Sequence, residues 1–486
     1  MNYATEQLRP AVRLMAQGGD ARIRIDPQTG LNRYYSAPIP SDVLAYASST
    51  ANDIGTAAFD RVEALLGEIG EDPAPSVYAE RLETLRSRIR SAYRVSDEVE
   101  IVFAPSGTDL EYVALACDAG RAPGGVHSIL LGADEVGSGC IHSAHGLYFA
   151  DETALGIATT PGEPVPGLGG VHVDLVDIKV RDASGQVRGS PEIAARMEVA
   201  IDAARAASRH VLLHIVHGSK TGLILPSLDD VDRLRAAAGG DMTIAVDACQ
   251  ARITSFAVND YLARDAIVFV TGSKFMGGPP FSGFALVRPV LMRRAPQLAS
   301  GLATIFRRAE WPAGWPGADS LPDGANAGLL LRLEASILEL ERFQVLPIEA
   351  VERVILAFHA AIRAEIVDKT PARRVAPYPP GDRGEADTHP IEMRTLSTLD
   401  LSAMKAGGAT FEDAQGWHKA MVAHGVRLGQ PVKCVRLADG TWGATLRIAL
   451  TMGQVVDRSG LNDAPLAQSF AEDMAKVREA LLAVVG

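Results

Sequence analysis

The chain has 486 residues, 47% hydrophobic and 22% charged, which is enough to bury a large core and more than one domain usually holds. Its net charge of -12 comes from 59 acidic against 47 basic residues, with no lysine or arginine block, and this argues against a nucleic-acid partner. Four cysteines (Cys117, Cys140, Cys249, Cys434) stand far apart with no CxxC pair, so neither a disulfide framework nor a structural zinc site is expected, and a reducing cytoplasm is.

The N-terminal run MNYATEQLRPAVRLMAQGGD lacks the basic-then-apolar order of a signal peptide. No apolar stretch approaches the roughly 20 residues that a membrane-crossing helix needs, and a soluble protein is expected. From about residue 98 to 290, short apolar runs rich in β-branched residues alternate with helical patterns. They are VEIVFAPSG, VHSILLG, HVLLHIVHG, MTIAVDA, AIVFVTG and GFALVRP. Continuous apolar strands alternating with helices predict an α/β fold with a mostly parallel sheet covered on both faces.

Two stretches interrupt this pattern. Residues 151 to 191 read as a loop and a polar hairpin at the surface or a subunit contact. The glycine- and proline-rich EWPAGWPGADSLPDGANAG (310 to 328) reads as a lid or interface loop ahead of the helix LLLRLEASILELERF. Beyond residue 350 come a long helix, the strand RTLSTLDLS, the helix FEDAQGWHKAMVAHG and the strand GATLRIALT, a small α+β unit. The expected division is an N-terminal arm (1–45) joining the small domain, a large domain (46–290), and a linker helix with a small C-terminal domain (291–486).

Three positions carry the chemistry. In VFVTGSKFMGGPPFSG an apolar strand ends in small residues and delivers Lys274 to the end of the sheet, where open α/β folds bind ligands. Asp247, in TIAVDACQAR, ends the preceding apolar run; such an aspartate either caps a helix or holds a proton on a nitrogen heterocycle. In APSGTDLEYVALA a strand passes into a helix through Ser106, Gly107 and Thr108, which offer amides, hydroxyls and the positive end of the helix dipole to a phosphate.

Together these features resemble the fold-type-I pyridoxal 5'-phosphate (PLP) enzymes, and within them the class V aminotransferase and cysteine desulfurase branch. The resemblance implies the aspartate aminotransferase-like fold, with a PLP-binding large domain, and a homodimer. The form of Asp247 to Gln250 is similar to that branch's motif, implying that Asp247 meets the ring nitrogen and Gln250 the phenolic oxygen. TGSK followed by GGPPFSG resembles its lysine segment, implying Lys274 as the Schiff-base lysine and Thr271 and Ser273 as phosphate contacts. Arg447, in ATLRIALT, resembles the arginine that grips a substrate α-carboxylate, a task its planar fork suits. Tyr34 and Tyr35, in LNRYYSAPIPS, resemble residues at the site entrance.

Departures from the family pattern are as informative. The ring-stacking histidine is missing: Val136 follows Glu135, with His142 and His145 as other candidates. Where the family has an asparagine, Ser219 stands, with His217 near. No cysteine falls after Lys274 until Cys434, expected in a strand, which disfavours a desulfurase mechanism. Arg307 and Arg308 are candidates to reach a neighbouring subunit's site, and Ala325, beside Asn326, replaces a threonine that relatives lend to the partner's phosphate. Cys140, His142 and His145 show metal-like spacing without an evident fourth ligand, and no metal is expected.

The reading is an enzyme acting on an amino acid or amine through an external aldimine, first of all an aminotransferase. A carbon–sulfur or carbon–carbon lyase or decarboxylase is the alternative, and a non-catalytic PLP-binding regulator the alternative from another class. The absence of GxSxG and of a GxGxxG after a first strand sets aside a serine hydrolase and a Rossmann nucleotide enzyme.

Overall fold

The computed structural model describes residues 9–47, 52–239, 241–378 and 395–485. Arg394, the first residue of the expected strand RTLSTLDLS, and the first eight residues of the N-terminal run lie outside these ranges. In chain order the strands are β1 (Leu44–Tyr46), β2 (Glu100–Ala104), β3 (Val126–Leu131), β4 (Val173–Ile178), β5 (His210–His217), β6 (Ile224–Leu225), β7 (Met242–Asp247), β8 (Ile267–Thr271), β9 (Gly283–Val287), β10 (Arg373–Arg374), β11 (Leu396–Asp400), β12 (Val426–Leu428) and β13 (Thr445–Ala449).

The six apolar runs between residues 98 and 290 form β2, β3, β5, β7, β8 and β9 of one sheet, ordered β2-β9-β8-β7-β5-β3-β4, with β6 paired to β5. Strands β4, β3, β5, β7 and β8 are mutually parallel, and β9 is inserted antiparallel between β8 and β2. Because β9 reverses, β2 points the same way as β8, so six strands end on the same edge. Their side chains alternate between two cores, as the two-residue period of a strand requires. Val246 and Val268 face the core shared with the helices Thr56–Ile69, Pro75–Tyr93 and Ala327–Gln344. Ala245 and Phe269 face a second core that includes the helix Leu110–Asp118. Both faces being covered explains why these strands read as uninterrupted apolar runs.

The stretch 151 to 191 is only in part the polar hairpin its pattern predicts: residues 180–188 fold back on themselves, with Arg181 bridged antiparallel to Val187, but the run ahead of them is a strand of the large sheet. Its VDLVDI segment is β4, a parallel edge strand along β3, in register from Val126 opposite Val173. An edge strand is paired on one side only and tolerates the aspartates that suggested a surface hairpin. Nor is 310 to 328 a loose lid. Trp311, Trp315 and Leu321 are each 2% exposed within the second core, and the two indoles meet edge to face at 4.8 Å.

The C-terminal third carries the antiparallel sheet β10-β11-β13. Strand β1 pairs in parallel with β12, which ties the N-terminal segment to this part of the chain. The helix Phe411–Ala423 starts on a reciprocal pair in which Thr410 and Asp413 each bond the other's backbone amide. Among the described residues no helix is long and apolar enough to cross a membrane.

Candidate active site

Five parallel strand ends and the loops that follow them line a cavity of about 540 Å³. β2 leads into Ser106, Gly107 and Thr108. β3 leads into residues 133–138, β5 into Ser219 and Lys220, β7 into Asp247, Cys249 and Gln250, and β8 into Thr271, Ser273 and Lys274. The opposite wall comes from the C-terminal part: Phe411, Gln430 to Lys433, and Arg447 on β13.

Backbone geometry aims these residues. Gly218 follows β5 at φ 76°, and its amide donates to the carbonyl of Leu223 at 2.9 Å, a tight reversal that presents Ser219 and Lys220 to the cavity. Gly272 follows β8 where a Cβ would lie 2.1 Å from Ser336 Oγ, so only glycine lets the turn carrying Ser273 and Lys274 pack on the helix Ala327–Gln344.

The cavity gathers nearly all the residues that the sequence marks. Asp247 Oδ1 accepts the Cys249 amide at 2.9 Å, the local capping role open to any aspartate at a strand end, with the carboxylate on the cavity wall. Gln250 Oε1 accepts from Arg252 at 2.8 Å, which fixes the side chain and leaves its amide nitrogen as a donor. Ser106 Oγ donates to Asp109 at 2.6 Å and Thr271 Oγ1 to the Cys249 carbonyl at 2.6 Å, so those two hydroxyl protons are committed. The backbone amides of Gly107 and Thr108 and the hydroxyls of Thr108 and Ser273 remain to serve an anion. Burial pushes the Asp109 carboxyl up to about 7, against the lowering effect of the Ser106 hydrogen bond.

Val136 lies on the cavity wall, whereas His142, His145 and His217 do not. Its neighbour Glu135 is buried. Its Oε1 accepts from Arg181 at 2.7 and 3.0 Å, its Oε2 from the Ser219 hydroxyl at 2.6 Å and the Thr221 amide at 3.1 Å, and the Thr221 hydroxyl lies within 3.0 Å of both oxygens. Burial opposes ionisation of Glu135, but Arg181 and these hydroxyls outweigh it and hold the carboxyl below its ordinary range.

Arg447 donates through Nε to the Gln430 carbonyl at 2.9 Å and through Nη1 to the Lys220 carbonyl at 3.2 Å. Burial lowers it to about 10, partly offset by Glu135. Tyr34 lines the cavity, but Tyr35 does not: its ring packs 6.0 Å from that of His418 in an adjoining recess. Cys434 is not in a strand but in the loop after Lys433, buried, with its thiol pushed up to about 11 by burial. Asn326 caps the helix Ala327–Gln344 by accepting the Leu329 amide at 3.0 Å, and Arg307 and Arg308 lie outside the cavity. Among the described residues no three His, Cys, Asp or Glu side chains group as metal ligands.

Sequence reasoning missed Arg22, Lys220, Cys249, Phe411 and Lys433 on the wall, and weighed Cys140 only as a metal ligand. Lys220 and Cys249 adjoin marked positions and were within reach of the strand-end argument. Phe411 and Lys433 come from loops whose place depends wholly on tertiary packing.

No protein-family model and no curated protein matches the sequence. Solved structures do match the fold. Ureidoglycine–glyoxylate aminotransferase from Bacillus subtilis aligns at TM-score 0.53 and 13% identity, over 92% of this chain and 93% of that one. A cysteine desulfurase from Thermococcus onnurineus NA1 aligns at TM-score 0.54 and 15% identity, over 90% and 95%. Pyridoxamine–pyruvate aminotransferase from Mesorhizobium loti aligns at TM-score 0.52 and 16% identity, over 91% and 97%. The chain therefore has the PLP-dependent transferase fold, with a mixed, mostly parallel central sheet.

Proposed function

We propose that this chain is a PLP-dependent enzyme acting on an amino acid, and first of all an aminotransferase. The observation that carries the reading is the meeting of Lys274 and Asp247, from the adjacent strand ends of β8 and β7, in one cavity with the 106–108 turn. The donor set fits the group: a lysine for the aldehyde, a carboxylate for the ring nitrogen, and amides at a helix N-terminus for the phosphate.

Bound there, PLP supplies an electron sink for the pair left when a bond to the substrate α-carbon breaks. Lys274 Nζ, once free, moves the proton at that carbon. Asp247 holds a proton on the ring nitrogen, Gln250 donates toward the phenolic oxygen, and Arg447 orients the substrate by its α-carboxylate. Gly107, Thr108 and Ser273 bind the phosphate, and Val136 covers the ring without offering a second proton carrier.

Two of the three aligned structures are named as aminotransferases, and one as a cysteine desulfurase. Against desulfuration, Cys434 lies outside the cavity, while Cys140 and Cys249 are buried with thiols pushed well above their ordinary range, chiefly by burial. A homodimer accords with the fold, and four free cysteines accord with a reducing compartment. The test is to supply PLP and a panel of amino acids with and without a 2-oxo acid acceptor. Formation of the donor's 2-oxo acid only with an acceptor supports transamination; ammonia, sulfide or carbon dioxide released without one would replace it with a lyase or decarboxylase.

A further inference from the structure

The cavity wall formed where β5 meets the C-terminal part is unusually cationic for a chain of net charge -12. Lys220, Lys433 and Arg447 all line it, and none has a carboxylate partner among the described residues. Arg22, the remaining arginine in the cavity, is by contrast tied to Asp20 at 2.6 Å and lies over the rings of Phe149 and Phe281.

Lys220 is the informative member. Its Nζ reaches only the backbone carbonyl of Asp134, at a long 3.4 Å. The acid whose charge acts on it, Glu135, has both oxygens filled by Arg181, Ser219 and Thr221 and no lone pair to spare. Burial lowers the ammonium's affinity for its proton; Glu135 offsets this in part, and Arg447 adds to it. A half-buried cation without a counter-ion is partly desolvated, at a cost that an anionic ligand would offset. Arg447 donates to the backbone carbonyl of Lys220, and its charge acts on the Lys220 ammonium across the same wall. Lys433 stands at the mouth, exposed, its Nζ 4.9 Å above the Phe411 ring.

An ordinary amino acid brings one α-carboxylate to these three cations. We infer that the substrate carries a second oxyanion on its side chain, received by Lys220 with Lys433 at the entrance, while Arg447 takes the α-carboxylate. The inference deepens the PLP reading and rests on it for the place of Arg447.

The test compares acids with their neutral isosteres. Visible spectra of the PLP-loaded protein are titrated with L-aspartate against L-asparagine, L-glutamate against L-glutamine, and L-cysteate, in the wild type and in Lys220→Met, Lys220→Arg and Lys433→Met. The wild type prefers an acid over its amide. Lys220→Met raises the apparent Kd for that acid about tenfold, the scale of 1.4 kcal/mol, and leaves the amide within about twofold. Lys220→Arg restores the preference, and Lys433→Met, being solvent-screened, costs about twofold. Whether carboxylates or the sulfonate bind better identifies the oxyanion.

Equal loss for acid and amide in Lys220→Met would show that Lys220 only shares the α-carboxylate, and would overturn the inference, as would a wild type that prefers the amides. Calorimetry of cofactor-free protein with glutarate against pentanoate keeps the two readings apart. A glutarate preference abolished by Lys220→Met sustains the two-anion site even if PLP fails to bind, and no preference refutes it even if PLP binds.

Discussion

The two walls of the cavity are built differently. One is the carboxyl edge of the large sheet, where Asp247 and Thr271 end apolar strands and Ser106 and Lys274 follow theirs by a few residues. The other is assembled from a β13 side chain, a helix-start residue and the irregular segment Gln430–Lys433, whose positions depend on the pairing of β11 with β13 and of β1 with β12. The first wall carries groups that suit a shared cofactor, and the second carries groups that meet whatever substrate arrives. A rigid sheet fixes chemistry, and loops set on it vary specificity.

Glu135 braces the sheet wall, since it lies after β3 and binds both Arg181 and the β5 turn. Glu135→Ala leaves Arg181 buried without its counter-ion and is expected to cost about 3–5 kcal/mol of stability, measured by denaturant unfolding. A loss below about 1 kcal/mol would mean that the Glu135 contacts do not hold that wall. On the sheet wall, Asp247→Asn is expected to lower kcat about 10²–10³-fold while keeping bound PLP, the scale of one preorganised electrostatic contact. Unchanged kcat would remove Asp247 from the chemistry.

The smallest effect concerns the phosphate turn. Asp109, buried and hydrogen-bonded to Ser106, has its carboxyl raised from 3.8 to about 7. Its contribution to stability is therefore present below pH 3.8 and lost as pH rises through about 7. Over the same window the new charge opposes a phosphate dianion beside Ser106. PLP affinity is expected to fall about fivefold between pH 6 and 8, and Asp109→Asn to flatten that fall, as followed by fluorescence titration. An identical pH profile in the variant would place the titrating group elsewhere.

The contrast between walls also explains what the sequence discloses. β2, β3, β5, β7, β8 and β9 were legible because strands buried on both faces must be apolar throughout, and their ends then mark the site by position alone. β4 escaped because an edge strand may alternate Val and Leu with Asp, which imitates a hairpin. The 310 to 328 stretch reads as a lid or interface loop, and the lid half fails because glycine and proline announce irregular backbone without saying whether the intervening tryptophans are buried. Tyr34 and Tyr35 are adjacent, and only tertiary packing decides which of them reaches the cavity. Lys433 had no local signal at all, since an exposed lysine in a loop looks the same wherever it lies.

The central claim is tested most directly by the absorption spectrum of the purified protein reconstituted with PLP, beside Lys274→Ala. The account predicts a visible band in the wild type that resists reduction in size on dialysis, is altered in Lys274→Ala, and shifts on adding an amino acid. A wild-type spectrum without that band after reconstitution, or a band unchanged by the loss of Lys274, would contradict it.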